Sequence, residues 1–91
     1  MPFLGESNFF ETDDSSAMVA VRPEFIQIHK ENSDNRLAAL VQQIVYLGVS
    51  CRVELILDNG KTVYALSQEN YQIGDRVYID WLPENAEQVK D

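Results

Sequence analysis

"RVELILDNGKTVYAL" (residues 52–66) decides the fold. Val53, Leu55 and Leu57 alternate with Arg52, Glu54 and Ile56, the period of two that puts one strand face in a core. Asp58-Asn59-Gly60-Lys61 then carries the Asn-Gly pair favoured in a two-residue type I′ turn, where both central residues take positive φ. A hairpin closed by Asn59 and Gly60 pairs Leu57 with Thr62, Leu55 with Tyr64 and Val53 with Leu66. That register places Val53, Leu55, Leu57, Tyr64 and Leu66 on one face, and Glu54 with Ala65 on the other.

The flanking segments read in the same way. Asp75 to Trp81 is a strand whose Val77, Ile79 and Trp81 face one side, with Arg76, Tyr78 and Asp80 on the other. "RLAALVQQIVYLG" (residues 36–48) fits a helix by its Leu37, Leu40, Val41, Ile44 spacing and a strand by its β-branched second half. The hairpin downstream favours the strand, with Gly48 as a bend. Ala17 to Arg22 reads as a strand that Pro23 ends, and Phe25 to His29 is extended again. Leu82 to Asn85 is a turn, and Glu87 to Val89 adds a last short strand. Short strands between turn residues predict an all-β chain. The expected form is a small or partly open OB-like barrel of about five to six short strands, with dimerisation as one way to complete it.

Composition narrows the function. A chain of 91 residues is one domain or part of one, with a thin core. The net charge of -8 and the scatter of only seven Lys and Arg argue against nucleic acid and anionic membranes as partners. The tyrosines and Trp81 are available as base-stacking platforms, but the basic groove that stacking requires is missing. One cysteine, Cys51, permits no internal disulfide. No apolar run reaches the length of a membrane span, and the N-terminus lacks the pattern of a signal peptide. A soluble, cytoplasmic protein is the expectation.

Catalytic motifs are scarce. Gly60-Lys61-Thr62 matches the tail of a Walker A motif, but Leu55 stands where its first glycine belongs, and a hairpin replaces the strand-to-helix turn. His29 and Cys51 have no catalytic or metal-ligand spacing; the first reads as a surface histidine, the second as a small packed residue. Asp13 with Asp14, and the loop Glu31 to Asn35, lack the calcium-loop pattern and read as solvated acidic loops. No catalytic, cofactor or metal residue is assigned.

Four segments carry a resemblance: "FLGESNFFE", "VAVRPEFI", "LVQQIVYLGVSCRVELILDNGKTV" and "GDRVYIDWLPENA", in that order and over most of the chain. Together they resemble the C-terminal TOBE region of ATP-binding subunits of ABC importers, in the polyamine, maltose and iron group. The resemblance implies an OB-like regulatory domain that is not an enzyme. In the family it follows an ATP-binding domain, whose Walker A, signature and Walker B motifs are absent from these residues. It also implies that a stretch normally lying between "GESNFFE" and the "RPE" corner is shortened here to Thr12–Val21, so that strand edges are left to be covered by pairing.

The expected organisation is a strand-like lead-in and acidic tether over residues 1–16, then the TOBE-like β domain over residues 17–91. Arg22, Pro23, Glu24, Gly48, Asn59, Gly60, Tyr78 and Trp81 are the expected structural or interaction residues. Arg22 and Glu24 are expected to fasten their corner by charge-assisted bonds. Phe3, Leu4, Phe9 and Phe10 are expected to form an edge strand exchanged in a homodimer. The implied function is a regulatory or interaction module acting on an ABC importer ATPase, peripheral to the inner membrane through that complex. The alternative is a free-standing binder of a polyamine, oxyanion or sugar.

Overall fold

A computed structural model describes residues 7–11 and 18–89. Eight strands form two sheets, and among the described residues there is no α-helix. They are β1 (Asn8–Glu11), β2 (Met18–Val21), β3 (Gln27–His29), β4 (Leu37–Tyr46), β5 (Cys51–Leu57), β6 (Thr62–Ser67), β7 (Arg76–Asp80) and β8 (Ala86–Val89). The larger sheet has the order β3-β7-β4-β5-β6, and the smaller the order β1-β2-β8. The expected five to six strands are exceeded because the short β1, β2 and β8 assemble a sheet of their own. The larger sheet curls as an OB-like half-barrel, its edge strands β3 and β6 approaching each other.

The Leu37–Tyr46 segment is a strand throughout, as its β-branched half predicts. A bulge between Val41 and Gln43 adds one residue opposite β5, bending β4 around the core. Gly48 does not bend a strand at a barrel corner. It lies at the tip of the β4–β5 hairpin with φ 97°, at the first of two loop positions, as in a type II′ turn. Leu47 N–H donates to the Ser50 carbonyl at 2.8 Å to close that loop.

The β5–β6 hairpin exists, but its register differs by one from the type I′ expectation. Leu55 pairs with Val63, Glu54 with Tyr64 and Val53 with Ala65. Gly60 alone has positive φ, at 88°, while Asn59 does not. Gly60 N–H donates to the Leu57 carbonyl at 2.9 Å, and Leu57 N–H to the Lys61 carbonyl at 2.8 Å. This is a three-residue loop with glycine at the bulge position. The single extra loop residue sends Val63 and Ala65, not Tyr64 and Leu66, into the core beside Val53, Leu55 and Leu57.

The core is one apolar cluster in which Leu55, Ile79, Val53, Val63 and Val77 are essentially sealed from solvent. Trp81 packs against it with Val77 and Ile79 on the predicted face. Pro23–Phe25 and Pro83–Asn85 form single 3-10 turns. The first is closed by main-chain bonds, Phe25 N–H to the Arg22 carbonyl at 2.9 Å and Ile26 N–H to the Pro23 carbonyl at 3.2 Å. Arg22 and Glu24 are both exposed, and no ion pair joins them. The corner is therefore held by proline geometry and backbone bonds rather than by charge.

Asn8 is the one buried polar residue among the described residues. Its side-chain N–H groups donate to the Tyr64 carbonyl at 2.8 Å and the Val21 carbonyl at 3.2 Å, and its oxygen accepts from Tyr64 N–H at 2.8 Å. The carboxamide acts as a short piece of strand laid against the outer edge of β6. It ties β1 and β2 to the larger sheet and fills the ladder sites at which that edge would otherwise be open.

Candidate functional site

Where the small sheet meets the larger one, a groove of about 740 Å³ remains. Phe10 of β1 and Trp81, which follows β7, form its floor, their rings stacked at 4.3 Å between centroids and inclined by 25°. The alternation that buries Asn8 and Phe10 and exposes Phe9 and Glu11 aims Phe10 at this interface. Lys61 brings its ammonium to 5.3 Å from the Phe10 ring centre, a distance at which the ring's π face attracts a cation. Its position comes from the hairpin loop, where Lys61 N–H donates to Asn59 Oδ1 at 2.9 Å. Asn35, Asn59 and Gln88 add amide groups to the walls, and Glu11 one carboxylate. The groove thus offers an aromatic floor, one cation, one anion and several neutral donors and acceptors. That set suits binding and orientation of a small polar ligand.

A second cluster joins β3 to β7. His29 Nε2 lies 2.8 Å from Asp80 Oδ1, and Arg36 Nε donates to Asp80 Oδ2 at 3.4 Å. Arg36 Nη1 also donates to the Glu31 carbonyl at 2.9 Å, which closes the loop between β3 and β4. His29 is therefore a half-buried partner of Asp80 rather than a plain surface histidine. Tyr78 is half-buried directly across the ladder from His29. No cluster of three or more His, Cys, Asp or Glu suited to a metal occurs among the described residues.

On the outer face of the larger sheet, the Arg52 guanidinium lies 4.4 Å from the Tyr64 ring centre. At the seam between β3 and β6 a hollow of about 390 Å³ is lined by Ile26, Ile28, Leu66 and Tyr71. Burial pushes the Tyr71 phenol above its ordinary pKa, and the Glu69 charge adds to the shift, while a hydrogen bond with Ser67 opposes both.

Of the residues singled out in the sequence, the groove brings together Phe10, Asn59 and Trp81. Arg22, Pro23 and Glu24 stand at the β2–β3 corner, Gly48 at the β4–β5 tip and Phe9 on the exposed face of β1. Phe3 and Leu4 lie outside the described residues. Sequence reasoning missed Asn8 and Lys61. For Asn8 the available signal was its place in the alternation, in step with Phe10; for Lys61 it was the position just past a hairpin glycine.

A curled five-stranded sheet with a small sheet docked on it and a groove between them defines an OB-like β-barrel module. The chain belongs to the TOBE domain family, whose model matches residues 19–86. A solved structure of the cytoplasmic molybdate-binding protein ModG, with molybdate bound, superposes with a TM-score of 0.74 at 14% sequence identity. The match covers 82% of this chain and 62% of that one, so the chain spans about three fifths of ModG's length. Comparison with curated proteins returns no match. No described helix is long and apolar enough to cross a membrane.

Proposed function

We propose that this chain is a non-catalytic regulatory or interaction module, with residues 17–91 as its TOBE unit. It works in the cytoplasm by self-association and by contact with the ATP-binding subunit of an ABC importer. The observation that carries the reading is the groove between the sheets. A ligand seated there touches Phe10 on the small sheet and Trp81 and Lys61 on the larger one, so it would favour the docked arrangement over an undocked one. Coupling of that kind turns occupancy into a change in association with a partner.

A second reading, a free-standing small-ligand-binding protein, draws on the same groove and on the fold shared with ModG. Lys61 favours an anionic or neutral polar ligand, whereas the net charge of -8 favours a cation. The local group weighs more, because it lies within contact range of the ligand. A thermal-shift series with spermidine, putrescine, maltose, molybdate and iron salts tests ligand binding. A ligand at 100 times its Kd should stabilise the fold by about 2.7 kcal/mol, and Lys61→Met should abolish the shift. A shift without any effect on a TOBE-truncated importer ATPase favours the free-standing binder. No shift, together with restored regulation of that ATPase, favours the interaction module.

A further inference from the structure

Leu57 bonds to Lys61 across the β5–β6 hairpin, which fixes the alternation along the ladder. Thr62, Tyr64 and Leu66 therefore sit in non-bonded pairs with Ile56, Glu54 and Arg52, and their N–H and C=O groups point to the outer edge of β6. At Tyr64 both groups are taken by the Asn8 carboxamide, as that alternation requires. At Leu66, two residues further on, no main-chain partner comes from the described residues. β3 approaches this edge without pairing to it, so the curled sheet stops short of a closed barrel here. The hollow of about 390 Å³ between Ile26, Ile28, Leu66 and Tyr71 lies at the same seam.

The direction of β1 leads into this seam. Phe10 lies beside Lys61 and Asn8 is clasped to Tyr64, so β1 runs antiparallel to β6, and each step back along β1 is a step forward along β6. Glu6, two residues before Asn8, falls about 7 Å further on, at the level of Leu66. Phe3, five residues before Asn8, is within reach of up to about 17 Å of extended chain, enough to span the hollow. Residues 3–6, Phe-Leu-Gly-Glu, lie immediately before the described residues, and their chemistry matches what the seam presents. Phe3 and Leu4 are apolar, like the hollow's isoleucines and Leu66. Gly5 has no side chain to hold the main chain off a strand edge. Arg52 stands opposite Leu66 with its guanidinium over the Tyr64 ring, and Glu6 brings a carboxylate to that level.

We propose that residues 3–6 of the same chain close the seam between β3 and β6. Their main chain lies along the Leu66 edge, Phe3 and Leu4 fill the hollow, and Glu6 pairs with Arg52. The chain's own segment is the occupant because it is tethered at Ser7, next to the Asn8 clasp. Tethering gives it a high effective concentration at the edge, and only a short loop has to be ordered. A strand supplied by a second copy loses translational and rotational freedom as well. The lead-in then serves as the last stave of its own barrel rather than as a strand exchanged between copies. The proposal goes beyond the functional reading above and does not depend on it.

Nuclear magnetic resonance on the full chain tests the closure. Phe3 ring protons should show Overhauser contacts to the methyl groups of Ile28 and Leu66. In a mixture of isotope-labelled and unlabelled chains, isotope filtering should place those contacts within one chain. Contacts found only between chains make the segment an exchanged strand, and no contact at all leaves the seam uncovered; either result overturns the proposal. Amide exchange supplies a second readout. The Leu66 N–H should exchange at least about tenfold faster in Phe3→Ala, while the Leu55 N–H keeps its rate. An unchanged Leu66 rate would sink the pairing along that edge. Glu6→Gln and Arg52→Gln should each accelerate Leu66 exchange, and the double variant should be no faster than Arg52→Gln alone. Additive accelerations would mean that Glu6 does not act through Arg52. If Arg52→Gln does not fold, Glu6→Lys decides: it sets two cations together and should accelerate exchange more than Glu6→Gln does.

Discussion

The two sheets hold together by different means. The larger sheet is built around β4, β5 and β6, long strands joined by tight hairpins, and its inward residues, Val53, Leu55, Val63, Val77 and Ile79, are sealed from solvent. The smaller sheet uses four-residue strands and joins β2 to β8, from opposite ends of the chain. Ordering such distant segments costs more loop-closure entropy before any contact is made. It holds its place through Val21, the Phe10–Trp81 stack and the Asn8 bonds. The first sheet is a scaffold whose central strands β4, β5 and β6 form from local hairpins. The second is a docked part whose position depends on a few specific contacts, and the groove lies at that dependent boundary.

The contrast can be broken most severely at Leu55. Leu55→Ala opens a cavity in the centre of the larger sheet and should cost about 2–5 kcal/mol by urea denaturation, with both sheets lost together. A cost below 1 kcal/mol would mean that the larger sheet is not the scaffold. Asn8→Ala should act on the other sheet. It leaves the Tyr64 N–H and two carbonyls without their partner, and should cost about 1–3 kcal/mol. Amide exchange should accelerate in β1, β2 and β8 and at Tyr64, while β4 and β5 keep their protection. Equal acceleration everywhere would erase the distinction between scaffold and docked part.

Smaller effects sharpen the comparison. Gly60→Ala forces a side chain into positive φ and should cost about 1–2 kcal/mol, although nothing lies within contact distance of the added methyl group. The loss should spread across the larger sheet, because the hairpin register starts at that glycine. Least of all, Tyr71→Phe should change stability by no more than about 1 kcal/mol at neutral pH. Its effect lies in alkali. The folded pKa of Tyr71 is raised, so its contribution is fully present below the ordinary value of 10.0 and is lost as pH rises through the folded pKa. Wild type should lose stability faster than Tyr71→Phe as pH rises from 10.0 towards the folded pKa, in parallel melts.

Much of the scaffold was legible in the sequence because strands bury alternate residues. Val53, Leu55 and Leu57, and again Val77, Ile79 and Trp81, announce their inward faces. The β-branched run Val41, Ile44, Val45 does the same for β4. The register of the β5–β6 hairpin was not legible, because Asn59-Gly60 serves equally in a two-residue loop and in a three-residue loop with a glycine bulge. One dihedral, that of Asn59, decides between them. The candidate site was legible only in its aromatic floor. Asn8 meets main-chain groups 56 positions away, and such partners leave no trace in residue type. Asp80 with His29 and Arg36 spans 51 and 44 positions, and the alternation of β7 places it on the outer face without naming its partners.

The Asn8 clasp also makes a statement about which positions are free to change. Its carboxamide reads the backbone of position 64 and ignores the side chain there, so many residues able to follow a strand path would be accepted at 64. Position 8 has no such freedom, since glutamine's extra methylene and aspartate's loss of the amide donors both spoil the bonding. Related chains should therefore keep asparagine at position 8 while position 64 drifts. The two sites would show little correlated change despite being in direct contact, and a contact map inferred from covariation would miss the bond that holds the two sheets together.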